Sequence, residues 1–175
     1  MKKLFPLLIL ALASSALFAQ TTWKSDPLHS KLTFSVTHLG ISDVDGLFKT
    51  FEVKISSDKE DFSDAVFELN ADLASIDTEV EMRDNHLRSE DFFDVANNPK
   101  MSFKSSSIKK AGKNRYKLAG DLTLHGVTKP ITVNLWYRGS VVNQASKALT
   151  AGFQVTGTIK RSDFGIGPKF PPPMI

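Results

Sequence analysis

YKLAGDLTL, residues 116–124, alternates along its whole length. Tyr116, Leu118, Gly120, Leu122 and Leu124 share one face, and Lys117, Asp121 and Thr123 lie on the other with Ala119. A period of two is the signature of a β-strand with one dry face and one wet face. The same pattern recurs on both sides of this stretch. Lys31–Leu39 places Leu32, Phe34, Val36 and His38 together, and Ala65–Leu73 does so with Phe67, Leu69 and Ala71. Leu47–Ile55 reads as one strand with Leu47, Phe51, Val53 and Ile55 inward, and Met101 and Phe103 open a weaker one. Ile131–Tyr137 and Leu149–Ile159 complete the set, the latter with Phe153 and Val155 on its apolar face. The connections at Ser42–Gly46, Gly112–Asn114 and His125–Pro130 carry turn residues, with Gly126 suited to a positive φ.

Successive one-sided strands predict an antiparallel sheet. Closing such a sheet into a barrel hides both its apolar face and its edges. Five inward phenylalanines, Phe34, Phe51, Phe67, Phe103 and Phe153, fit either a solid core or a lined tunnel, and composition alone does not separate the two.

The chain of 175 residues opens with Lys2 and Lys3, the apolar run Leu4–Leu12 and small residues up to Ala19. That order predicts a secretory signal over residues 1–19, too short for a membrane anchor, and leaves a single domain over 20–175. Formal charge is +3 with the leader and +1 without its two lysines, so the basic balance argues weakly for a nucleic acid partner. There are no cysteines, which excludes disulfides, thiol chemistry and a lipoprotein anchor.

One stretch breaks the β pattern: RDNHLRSEDFFD, residues 83–94. Thr78 followed by Glu81 reads as a capping box that starts a helix at Glu79. The pairs Glu79–Arg83 and Asp84–Arg88 have helical (i, i+4) spacing, and Val80 and Leu87 would face the barrel. Ser89 caps a second turn carrying Phe92 and Phe93, ended by Asn97, Asn98 and Pro99. The charged types could supply an acid, a base and an oxyanion donor, yet no G-x-S-x-G and no cysteine accompany them. The plainer reading is a cap whose Arg83 and Asp84 satisfy strand-end backbone groups or each other. The four histidines, His29, His38, His86 and His125, lack metal-ligand spacing. The DFG triplet at Asp163–Gly165 stands without any other kinase signature and reads as a turn.

Six segments together resemble the YceI family of exported lipid-binding proteins: DPLHSKLTFSVTHLG (26–40), GLFKTFE (46–52), ASIDT (74–78), RDNHLRSEDFFDV (83–95), GDLTLHGVTKP (120–130) and RSDFGIG (161–167). The resemblance implies an all-β, antiparallel lipocalin-like barrel, here with a short helical cap around residues 79–94. It implies an elongated apolar cavity for an isoprenoid quinone, a polyprenyl compound or another long-chain lipid. It implies no enzymatic activity and no cofactor beyond the lipid. On that footing Phe34, Val36, Phe51, Phe67, Leu69, Phe103, Leu122, Phe153 and Val155 are expected to line the cavity. His38, Arg83, Asp84, His86, Phe92 and Phe93 are expected at its mouth, near a headgroup. The expected setting is periplasmic or secreted, with transient membrane contact for lipid exchange. Against the family pattern, KFPPPMI stands where a closing strand is expected, and successive prolines cannot donate to a ladder. The closing C-terminal strand is therefore expected to be missing. A lipid-modifying enzyme using Arg83, Asp84 and His86, and a filled structural barrel, are the rival readings.

Overall fold

The structure is a computed structural model that describes residues 21–171. The leader expected over residues 1–19 and the last four residues lie outside the described residues.

Among the described residues ten strands and one α-helix follow in order: β1 (Thr21–Lys24), β2 (Leu32–His38), β3 (Ser42–Phe48), β4 (Phe51–Ser57), β5 (Val66–Asp72), β6 (Ile76–Asp77), α1 (Glu81–Arg88), β7 (Lys100–Gly112), β8 (Arg115–Leu124), β9 (Val127–Val142) and β10 (Leu149–Thr156). Seven strands form one antiparallel sheet in the order β1-β4-β5-β7-β8-β9-β10, and β2-β3-β6 form a second. The larger sheet curls into a half-barrel. Its concave face carries the core, including Ile55, Phe67, Ala71, Phe103, Leu118, Leu122 and Leu135.

Two irregularities help the sheet curl. A β-bulge between Ser105 and Ser107 interrupts the pairing of β7 with β8. There the buried Ser105 hydroxyl accepts the Phe67 N–H at 2.8 Å, in place of a ladder carbonyl. A second shift, at Gly152/Phe153, bends β10 against β9. The tight turn at His125-Gly126 links Leu124 directly to Val127, and both central residues have positive φ, 51° and 72°. That is the backbone of a two-residue hairpin whose twist matches its strands.

Five expectations need correction. Leu47–Ile55 is not one strand; the chain turns at Lys49-Thr50 and passes from the smaller sheet to the larger. Ser42–Gly46, expected as a turn, is the body of β3, and the turn lies at Leu39–Ile41. Asp43 is tied there by the Thr37 hydroxyl at 2.8 Å. Gly46 is needed because the Phe34 ring lies over it; a Cβ there would meet Phe34 Cζ at 2.4 Å. β7 is not weak but thirteen residues long. The capping box does not form: α1 starts at Glu81 with Val80 as its N-cap and no side-chain cap. Glu79 has φ 65°, so it lies outside the helix and cannot pair with Arg83 along it.

Both sheets keep open edges. Among the described residues β2 pairs only with β3, and β10 only with β9. Beyond Thr156 the chain leaves the sheet at Gly157, which lies against Val133, and returns as a 3₁₀ turn at Arg161–Phe164.

Candidate functional site

The half-barrel has two ends, and each is filled differently. At the end formed by the β4–β5 loop, Phe62 turns inward and is 2% exposed. Its ring stands 4.8 Å from Phe153, 5.0 Å from Tyr137 and 5.4 Å from Trp23, centroid to centroid. Phe67 meets Phe153 at 5.5 Å, so an aromatic cluster stops this end. Phe62 holds φ 58°, a left-handed conformation that a bulky residue seldom takes. The loop is tied down around it. The Tyr116 hydroxyl donates to the Asp61 carbonyl at 2.7 Å, and the Ser57 hydroxyl donates to Asp64 at 2.6 Å. Burial pushes the Tyr116 hydroxyl above its ordinary pKa.

The opposite end is covered by α1, the turns after it and the returning tail. Asp84 is buried, and its Oδ1 accepts both the Thr78 N–H at 2.9 Å and the Thr78 hydroxyl at 2.5 Å. Arg83 donates from Nε to the same hydroxyl at 2.7 Å and from Nη2 to the Thr78 carbonyl at 2.6 Å. Arg88 reaches back to the carbonyls of Ala74 and Ile76. The helix is thus fastened to the strand-end backbone by three charged side chains, and the expected Asp84–Arg88 pair is not made. Beneath it, Phe93 stands edge-on to Phe48 at 6.0 Å, and Phe48 meets Phe34 at 5.6 Å.

The tail completes this end. Phe164 and Ile166 are buried, and the Phe164 carbonyl lies 2.9 Å from His125 Nδ1. The Arg161 guanidinium donates to the carbonyls of Ile166, Gly167 and Phe170. Phe170 stacks on Phe92 at 5.0 Å, and the His86 ring stands edge-on to both. Lys169 donates to Asp91 at 2.6 Å. That hydrogen bond holds the Asp91 carboxyl below its usual value and lifts the Lys169 ammonium above its own.

Between the two ends the concave face is apolar and only partly covered. Phe67, Phe103 and Leu122 are buried there, whereas Phe51, Leu69 and Phe153 are half-buried, as are Phe34 and Val36 on the smaller sheet. Val155 is in register with inward Leu135, yet it is 49% exposed because β10 has no strand beyond it. Two shallow depressions, of about 380 and 370 Å³, lie on the outer, polar face of the sheet.

The mouth residues do not converge as one collar. His38 is exposed at the end of β2, and among the described residues no hydrogen bond, ion pair or ring contact joins it to the others. Asp84 is taken up by Thr78 inside the fold and does not face a mouth. Arg83 shares that anchor, while His86, Phe92 and Phe93 belong to the packing under the tail. Phe62 and Trp23 escaped the sequence reading, as did Lys129, which is in register with Leu122 and so sits on the inner face. A lone phenylalanine in the acidic run DKEDFSDA was the available signal for Phe62. Among the described residues no group of three or more His, Asp or Glu side chains converges to hold a metal ion.

A family model described as YceI-like domain matches residues 23–174. The chain belongs to the YceI-like domain family. A UPF0312 protein of Staphylococcus epidermidis is 38% identical over 146 residues, covering 83% of this chain and 82% of that protein. A UPF0312 protein of Serratia proteamaculans is 38% identical over 154 residues, covering 88% and 79%. Among solved structures, Burkholderia cenocepacia BcnA superposes with a TM-score of 0.70 at 30% identity, covering 81% of this chain and 84% of that one. The Campylobacter jejuni YceI protein does so at 0.67 and 33%, covering 83% and 84%. The YceI-like frame therefore spans both filled ends and the apolar face between them.

Proposed function

We propose that this YceI-like chain is a non-catalytic binder of a long-chain isoprenoid lipid, an isoprenoid quinone or polyprenyl compound, which it carries or stores in the periplasm or outside the cell. The observation that carries the reading is an apolar inner face that is only partly covered. Phe34, Phe51, Leu69 and Phe153 lie on inward faces, pack against the core and remain partly exposed, while the backs of their strands are polar. A prenyl chain laid along that face would complete its burial. Each CH₂ removed from water contributes about 0.8 kcal/mol, so a long chain needs few polar contacts. The charged helix end then serves as a lid anchor.

The packed aromatic end favours a second reading, a filled structural barrel. Displacement of an apolar, environment-sensitive dye by polyprenyl alcohols of graded length separates the two. Saturable displacement that tightens with chain length and is weakened in Phe153→Asp supports the binder. Absence of dye binding with the fold intact supports the filled barrel.

A further inference from the structure

The small net charge conceals a division of the molecule. Residues 105–162 carry ten Lys and Arg against a single acid, Asp121, a balance of +9. The remainder carries twelve against eighteen, a balance of −6, and the two together give the +3 of the chain. No Asp or Glu occurs between Asp121 and Asp163, so the whole β9–β10 hairpin is without one.

The fold sets four of these cations, Lys109, Arg115, Lys117 and Arg138, on the convex face. The Arg115 guanidinium carbon lies 3.7 Å from the centroid of the Trp136 ring, and that of Arg138 lies 4.0 Å from it. Arg115 and Trp136 are direct cross-strand partners, as are Lys109 and Lys117. Like charges set opposite each other destabilise a sheet, and an outside anion would relieve that repulsion. None of Lys109, Arg115, Lys117 or Arg138 enters an ion pair among the described residues. A depression of about 380 Å³ on the same face is lined by Arg115, Lys117, Asn134, Trp136 and Gln154.

The same hairpin carries uncovered aliphatics at the base of its polar loop, residues 143–148. Val141 is 65% exposed, Val142 47% and Leu149 55%. Four residues separate Arg138 from Val142, about 13 Å of extended strand. Exposed aliphatics, a tryptophan and guanidinium groups on one hairpin, with a polar loop that carries Lys147 at its end, match the mixed composition of a bilayer's interfacial zone. A groove for nucleic acid has no use for the exposed valines.

We infer that the outer face of β8–β10 and the β9–β10 hairpin tip form a docking surface for an anionic phospholipid bilayer. The inference does not depend on what the concave face holds, because the two faces are separate.

Sedimentation of the full chain with vesicles tests it, using phosphatidylcholine alone and phosphatidylcholine mixed with phosphatidylglycerol. Residues 1–20 are common to every variant, so comparison with the parent cancels their contribution. Binding should be stronger on the anionic vesicles and fall with salt. R115Q/R138Q should weaken it roughly thirtyfold, taking about 1 kcal/mol for each charge at an anionic surface and about 1.4 kcal/mol per factor of ten. V141S/L149S, at exposed positions, should weaken it without changing the salt dependence. Equal binding by parent and R115Q/R138Q, or no preference for the anionic vesicles, overturns the inference. Binding to heparin or RNA without binding to vesicles also overturns it and reassigns the face to soluble polyanions.

Discussion

Phe62 stands edge-on to Phe153, ring centroids 4.8 Å apart and planes at 87°, although its own backbone is left-handed at φ 58°. The loop accepts that conformation in order to place the ring against Phe153, Tyr137 and Trp23. Removing the ring should cost about 3–5 kcal/mol. Relief of the left-handed strain is worth roughly 1–2 kcal/mol to glycine. Phe62→Gly should therefore be no less stable than Phe62→Ala, despite its smaller side chain. Denaturant melts of the two variants and the parent check the order, and a Phe62→Gly midpoint well below that of Phe62→Ala would refute it.

Asp84 and Thr78 form the second dependence. The carboxylate accepts two hydrogen bonds inside the fold, and Arg83 fixes the same threonine from the other side. Thr78→Val leaves both charged groups short of a partner in a buried place and should cost about 1–3 kcal/mol. Thermal unfolding should move down by several degrees. Apolar dye binding at low temperature should persist, because the anchor holds the lid and does not contact the ligand. Loss of all binding in a variant that still folds would give this cluster a direct role.

The tail answers to pH through Asp91 and Lys169. The Asp91 carboxyl is held below its usual 3.8 by the Lys169 hydrogen bond, so its contribution is full above that value and is lost as pH falls through the lower folded value. Lys169 is lifted above its usual 10.5, so its contribution is full below that value and is lost as pH rises through the higher folded value. Hydrogen exchange at the Phe170 amide, bonded to the Gly167 carbonyl, should show flat protection between these limits and faster exchange outside them. Asp91→Asn should remove the acid limb. An unaltered acid limb in that variant would assign it to another group.

Much of this fold was legible from alternation alone, because a period of two survives wherever one face is dry. β5 and β8 agree with their sequence patterns almost to the residue. β3 did not, since Asp43, Asp45 and Gly46 imitate a turn, and only the Phe34 ring over Gly46 explains the glycine inside a strand. The start of α1 was misplaced for a similar reason. Thr78 has the type and spacing of a cap, but Asp84 recruits its hydroxyl from a full turn further on. Phe62 and Arg88 act through contacts far along the chain, which no local pattern carries.

Among the described residues β2 and β10 each keep an unpaired side, which predicts self-association. An unpaired strand edge offers a row of backbone donors and acceptors to any second edge. Size-exclusion of the purified chain should show an association that grows with concentration. Val155→Lys, an inward charge on β10, should reduce it. A strictly monomeric profile at all concentrations would mean that the edges are protected.

The central claim, that the apolar inner face holds an isoprenoid lipid, is tested most directly by what the protein carries. Organic extraction of the purified chain, followed by mass spectrometry, should release a long-chain isoprenoid in near-stoichiometric amount, and less of it from Phe153→Asp. An extract without such a lipid, from protein that also takes none up when it is supplied, would contradict the account.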